Sequence, residues 1–221
     1  MKQLKIGLLL GLICILGIYV IYTIKKKSYL SVKSIDIMSD HDNDGVNDIS
    51  DIIQGARLEV KNKTHYKSAY YAGGYPPKDE GVCTDVVWRA FESAGINLKA
   101  LIDEDIKNNI TSYQRVKGKP DPNIDFRRVP NLDVFLKRKA ESLPITIIPG
   151  NLESVQKWQA GDIVIFDYPK SHTAIISDKR NKLGIPYLIH NAAPFPKEED
   201  MLLYWNDNFS KIIGHYRWKY E

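Results

Sequence analysis

The chain has 221 residues, 43% of them apolar and 26% charged, with a formal net charge of +4. That length suits one globular domain with a sizeable core plus appendages, and the composition excludes disorder throughout. The surplus charge sits at the start: residues 1–27 hold five lysines and no acid, and the remainder carries 26 basic against 27 acidic residues. With no basic field and no basic stripe interleaved with aromatics, nucleic-acid binding is set aside.

Residues 6–24 contain no charged side chain; Lys2 and Lys5 precede them and Lys25, Lys26 and Lys27 follow. A run of this length spans a bilayer. A cleaved secretory signal has a shorter apolar region and a small-residue site, whereas this run ends Tyr22-Thr23-Ile24. A lipoprotein signal needs a small residue before Cys14, where Ile13 stands. The reading is an uncleaved, single-pass anchor over 1–27, with Cys14 an apolar residue in lipid. Lysines stand on both flanks, so the positive-inside rule does not fix the orientation. Beyond the anchor Cys83 stands alone, so no intramolecular disulfide and no Cys-x-x-Cys metal or redox motif forms there.

A polar stalk, residues 28–51, carries Ser39-Asp40-His41-Asp42-Asn43-Asp44-Gly45-Val46-Asn47-Asp48-Ile49-Ser50-Asp51. Acids at positions 1, 3, 5, 9 and 12, with Gly at 6 and a backbone carbonyl at 7, are what a twelve-residue loop uses to wrap a hard cation. The spacing resembles EF-hand loops, and more closely the calcium loops of dockerin and thrombospondin type 3 repeats. The expected ligands are Asp40, Asp42, Asp44, the Val46 carbonyl, Asp48 and Asp51, around a structural Ca2+. Asp51 in place of a longer Glu, and Asn47 in place of an apolar residue, predict weak binding. A weak loop fills where calcium is abundant, which tilts the domain towards the extracellular side. The competing reading is an acidic, solvated linker.

Residues 52–221 read as the main domain. A helical period begins it, followed by a Tyr- and Gly-rich ordered loop over 64–80, where Tyr75 is a candidate groove wall. Cys83, Val86, Val87, Ala90, Phe91 and Ala94 share one helical face that Gly95 can end. Further helical patterns run over 98–109 and from Pro130 through Leu136, separated by a long loop. Strands follow at 162–168, 172–177, 186–191 and 212–218, the first two joined by a turn at 169–171. Helices first and a meander of strands after is an α+β pattern with an antiparallel sheet.

A lone cysteine on an apolar helical face is most often core. Gly81 and Val82, however, place Cys83 in the helix's first turn, where unpaired amides and the dipole favour a thiolate and an amide can face a developing oxyanion. A nucleophile needs a base, and the base an orienter. His172 opens one strand and His190 ends the next, so antiparallel pairing brings them together. Asn191 is the alternative orienter, although neighbouring strand residues face opposite ways and only one of the two can serve. Asp85 suits a helix start. Arg127 and Arg128 suit carboxylates, against the ordinary reading of solvated loop arginines.

Cys83, Trp158-Gln159-Ala160-Gly161-Asp162-Ile163-Val164, His172 and Ile189-His190 together resemble the NlpC-type branch of papain-like cysteine peptidases. More narrowly, GVCTDVVWRAF at 81–91, IDFRRVPNL at 124–132 and the ending IIGHYRW resemble a bacterial family of YijF-like proteins, a domain of unknown function. The wider resemblance implies a papain-like α+β fold with Cys83 as nucleophile, His172 as base and His190 as orienter. It also implies hydrolysis of an amide bond in cell-wall peptidoglycan peptides, with no cofactor for catalysis; the anchor read over 1–27 would hold the protein in the bacterial cell membrane. That branch usually has an acid directly before the nucleophile, which helps hold the substrate's amine; this chain has Val82 there, and Asp85 or the Lys78-Asp79-Glu80 loop is the candidate replacement, with Tyr75, Arg127 and Arg128 the other expected substrate-binding residues. The alternatives are a non-catalytic cell-wall or protein-binding module on the same fold, or a thiol-dependent acyltransferase.

Overall fold

A computed structural model of the protein describes residues 29–220; the anchor read at 6–24 lies outside them. Among the described residues no helix is long and apolar enough to cross a membrane.

Two sets of helices sandwich one sheet. Helix α1, Asp48–Asn62, is capped by Asn47, whose Oδ1 accepts from Ser50 N at 3.0 Å, so it begins within the segment read as stalk. Two short strands, β1 (His65–Tyr66) and β2 (Glu80–Gly81), pair in parallel and frame the Tyr/Gly loop. Helices α2 (Cys83–Glu92), α3 (Leu98–Asn108) and α4 (Val129–Lys139) follow, with Pro130 in the first turn of α4, where a missing N–H costs nothing. The loop before α4 is not irregular throughout: it contains 3₁₀ turns at Ile110–Ser112, Gln114–Val116 and Asp125–Arg127.

The sheet has six strands in the order β3-β8-β4-β5-β6-β7, every neighbouring pair antiparallel. They are β3 (Glu141–Ser142), β4 (Ile163–Asp167), β5 (His172–Arg180), β6 (Pro186–Asn191), β7 (Pro196–Glu199) and β8 (Lys211–Arg217). Helices α5 (Leu152–Gln156) and α6 (Leu202–Asn208) complete the described elements. The α+β reading therefore holds, while the edge strands β3 and β7 and the short helix α6 go beyond it. All three are too short to establish a period of their own.

Side-chain alternation explains why the central strands are apolar along their whole length. Ile163, Ile165, Ile175 and Ile189 face one cluster with Val86, Val87, Phe91, Leu132 and Phe135 of the helices. Val164, Phe166, Ala174, Ile176 and Leu188 face a second cluster built on Trp158, Val155, Leu202 and Ile212. The chain from 29 to 39 is docked rather than free: Leu30 and Val32 pack on the second cluster, and the Lys33 and Ile35 amides donate to Gln156 and Gln159.

The Trp158-to-Asp162 motif is a structural staple. Trp158 is fully buried and stacks on His215 at 3.7 Å between ring centroids. Gly161 turns with φ +82°, and Asp162 accepts from His215 Nε2 at 2.9 Å and from Arg217 Nε at 2.7 Å.

Candidate active site

Cys83 occupies the first position of α2, after Val82 in extended backbone. Val82 has no capping oxygen, and the start is secured instead by Asp85, whose Oδ2 accepts from Val82 N at 2.7 Å. The same carboxylate takes Trp88 Nε1 at 2.7 Å and two guanidinium N–H groups of Arg127, both at 2.8 Å. Arg127 also donates to Ala69 O and lies over the Tyr71 ring. Asp85 and Arg127 are thus buried against each other, each Asp85 oxygen accepting two bonds, and the structure places neither at an open surface. Arg128 is one-third exposed and pairs with Asp125. Tyr75 stands edge-on to Trp88 and Phe126 and lines a depression of about 540 Å³ between α1 and the later turns of α2, where Cys83 takes no part.

The sulfur of Cys83 lies against the start of β5, with the backbone N–H groups of Thr173, Thr84 and Cys83 itself as polar neighbours. Burial outweighs them and pushes the thiol up to about 11. A first-turn position alone therefore does not make this thiol a thiolate; desolvation exceeds the help of the amides.

His172 opens β5 directly before Thr173, whose backbone N–H neighbours the Cys83 sulfur. His172 stacks on Trp205 of α6 at 4.2 Å and 14°. Its Nε2 meets Nδ1 of His190 at 2.7 Å, and His190 Nε2 meets Glu199 Oε1 of β7 at 3.1 Å. Both imidazoles are almost fully buried. Burial, and then the neighbouring His190, hold His172 well below the usual histidine range, so it is neutral at pH 7. The carboxylate of Glu199 accepts only, so His190 presents N–H on Nε2 to it. In the neutral form of His190 its Nδ1 accepts from His172 Nε2–H, and Nδ1 of His172 keeps its lone pair. Among the described residues no hydrogen bond joins Cys83 to either histidine.

Asn191 is directed elsewhere. It donates to Thr64 O and Gly81 O, both at 3.2 Å, so the structure brings His190 and not Asn191 to His172. Glu199 and Trp205 are not legible in the sequence because β7 is a four-residue edge strand and α6 has under two turns. The only signal is the paired acids Glu198-Glu199 before an aromatic-rich run. Tyr66, on β1, is a further neighbour: burial, and then the proximity of Cys83 and Asp85, raise its phenol. A depression of about 250 Å³ lined by His190, Lys197, Glu199, Phe195 and Trp205 opens beside the histidine pair.

In the acidic loop, Asp40, Asp42 and Asp44 bring carboxylate oxygens within 4.8 Å of one another. Asp48 does not join them: its oxygens take Ser39 Oγ at 2.6 Å, His41 N at 2.9 Å and His41 Nδ1 at 2.6 Å. Val46 donates its N–H to Asp44 at 2.8 Å. Asp51 is buried at the start of α1, and burial together with the loop carboxylates pushes it up to about 6.

Residues 53–218 match the family model described as "Domain of unknown function (DUF1287)". The chain belongs to this family. The uncharacterized protein YijF of Escherichia coli (strain K12) is 38% identical over 175 residues, covering 76% of this chain and 80% of that protein. A solved structure of an N-acetylmuramoyl-L-alanine amidase from Bacteroides uniformis covers 78% of this chain and 99% of its own at 13% identity, with a TM-score of 0.47.

Proposed function

We propose that this DUF1287 protein is a membrane-anchored cysteine hydrolase of the papain-like type that cuts an amide bond in cell-wall peptides. One observation carries the reading: a Glu199–His190–His172 line, hydrogen-bonded throughout and with both imidazoles buried, ends at the strand start against which the Cys83 sulfur rests. A base held in one tautomer by a second group is what thiol attack requires. The substrate class rests on the likeness of the motifs to NlpC-type peptidases. Residues 6–24 would hold the domain at the membrane, outside the cell, which limits it to substrates near the bilayer.

Because thiol and imidazole are both neutral at rest, His172 acts as a general base during attack, not as half of a standing ion pair. The S–H proton moves to His172 Nδ1 as sulfur bonds the carbonyl carbon. The tetrahedral oxyanion faces the amides at the start of α2. The C–N bond then breaks, the amine leaves with the proton from His172, and water activated by the same nitrogen hydrolyses the thioester. Productive geometry needs His172 Nδ1 within hydrogen-bond reach of Cys83, a contact that in substrate-free sites is often long and tightens on binding.

Mass spectrometry of purified peptidoglycan peptides after incubation tests this: wild type should yield a new amine and a new carboxylate, and Cys83→Ala neither. Equal cleavage by Cys83→Ala would end the proposal, and a new amide to an added amine would convert it to acyl transfer. The buried, neutral thiol favours a second reading, a non-catalytic cell-wall-binding module. That reading expects retention of the peptides by wild type and Cys83→Ala alike, without cleavage by either.

A further inference from the structure

Eight acidic residues of the described domain are buried: Asp48, Asp51, Glu59, Asp85, Asp105, Asp125, Asp133 and Asp162. Seven of them have a cationic or histidine partner. Asp85 meets Arg127, Asp105 Arg138, Asp125 Arg128, Asp133 Lys137, Glu59 Arg89, Asp48 His41, and Asp162 both His215 and Arg217. Asp51 is the exception. It is 7% exposed, and its Oδ2 is fully buried with no hydrogen-bond partner among the described residues. A buried ionised carboxylate without a partner is strongly destabilising, so one is retained where something outside the chain completes it.

The groups around Asp51 say what that is. The charges acting on it are those of Asp44, Asp42, Asp48 and Asp40, all negative. Asp51 stands twelfth in the loop counted from Asp40, in the first turn of α1, with the loop carboxylates as its charged neighbours. The three forward acids already bring their oxygens within 4.8 Å, the spread of ligands about one ion with metal–oxygen bonds of roughly 2.3–2.6 Å. Gly45, with φ +90° and open space where a Cβ would stand, makes the turn that brings the following carbonyl round.

We infer that residues 40–51 bind one calcium ion, with Asp40, Asp42, Asp44, the Val46 carbonyl and the otherwise unpartnered Asp51 as ligands. Asp48 is not a ligand. Its bonds to Ser39 and His41 tie the loop's entry to the start of α1. Five protein oxygens at an adaptable loop suit calcium, which accepts six to eight ligands with water making up the number, better than magnesium, which keeps most of its water. The loop also packs on the α2–α3 turn: a Cβ at Gly95 would stand 3.0 Å from Asp42 Cβ. The ion therefore joins the segment that precedes the domain to the helix layer that carries Cys83. This inference does not depend on the proposed hydrolysis.

The test uses the full chain in detergent, stripped with chelator, then titrated calorimetrically with CaCl2 and melted with and without calcium. Wild type should take up one calcium per chain with Kd of about 10⁻⁵–10⁻³ M, and its midpoint should rise by a few degrees at about ten times Kd. Asp51→Asn should lose the calcium response, and in chelator it should melt above wild type, because it removes an unpaired buried charge. Absence of heat and of any midpoint shift in wild type up to millimolar calcium would overturn the site. So would calcium uptake by Asp51→Asn equal to wild type, or a chelated Asp51→Asn that melts below chelated wild type. An equal response to magnesium would overturn the choice of metal.

Discussion

At the scale of single residues, the candidate site is governed by where protons sit. Glu199 can only accept, so with His190 neutral it propagates one tautomer through His190 to His172 and leaves the Nδ1 lone pair of His172 free. In Glu199→Gln the amide can donate to His190 Nε2, so the order can reverse. Long-range nitrogen–proton NMR of histidine-labelled protein should show His172 protonated on Nε2 in wild type and a mixture in Glu199→Gln. An unchanged spectrum would detach Glu199 from this role. His172→Ala should lower kcat/KM by roughly 10²–10⁴, and Glu199→Gln by less. Cys83 makes a separate prediction. With the thiol pushed up to about 11, iodoacetamide labelling should accelerate steadily from neutral pH upward with no plateau between pH 5 and 8. A plateau there would show a standing thiolate–imidazolium pair in place of two neutral groups.

At the scale of elements, the start of α2 is the joint that the rest of the site depends on. Asp85 caps the helix, and through Arg127 it fixes the 3₁₀ turn Asp125–Arg127, whose Arg127 carbonyl takes Thr84 Oγ1 at 2.9 Å. The sequence offers Asp85 and Arg127 as groups for a substrate, and they sit 42 residues apart with no local pattern linking them. The helix-start role of Asp85 is legible, because an acid at the third position of a helix closes back on the capping residue. Its ion pair is not, since it depends on how the loop before α4 folds over α2. Asp85→Asn leaves a buried guanidinium without its counter-charge and should cost about 3–5 kcal/mol, read by urea denaturation. A loss under about 1 kcal/mol with a raised KM would return both residues to the substrate.

At the scale of the whole molecule, acid stability reports the buried base. His172 is held neutral in the fold, whereas an unfolded chain protonates it below about pH 6.5. The unfolded state then binds the extra proton, so this contribution to stability is complete above pH 6.5 and declines as pH falls below it. Thermal midpoints measured from pH 7 down to 5 should fall in wild type and fall less steeply in His172→Gln. Glu198 acts lower on the scale. Arg57, Lys179 and Ser177 hold it at about 2, against the pull of its burial, across the junction of α1 with β5 and β7. Its contribution is complete above the ordinary carboxylate range and disappears as pH drops from there towards 2. The two groups therefore predict two separate steps of acid destabilisation.

The sequence by itself determined what depends on local period and position: the helical face of α2, Cys83 at its start, four strands of the antiparallel sheet, the two histidines at facing strand ends and the acidic loop. These follow from side chains spaced to one face and from the geometry of adjacent antiparallel strands. Only the tertiary structure decided which groups meet and which lose water. It set Glu199 and Trp205 beside the histidines and Arg127 against Asp85, and it left Asp51 without a partner among the described residues. It also raised the Cys83 thiol, because desolvation is a property of everything packed around a group and not of its neighbours in the chain.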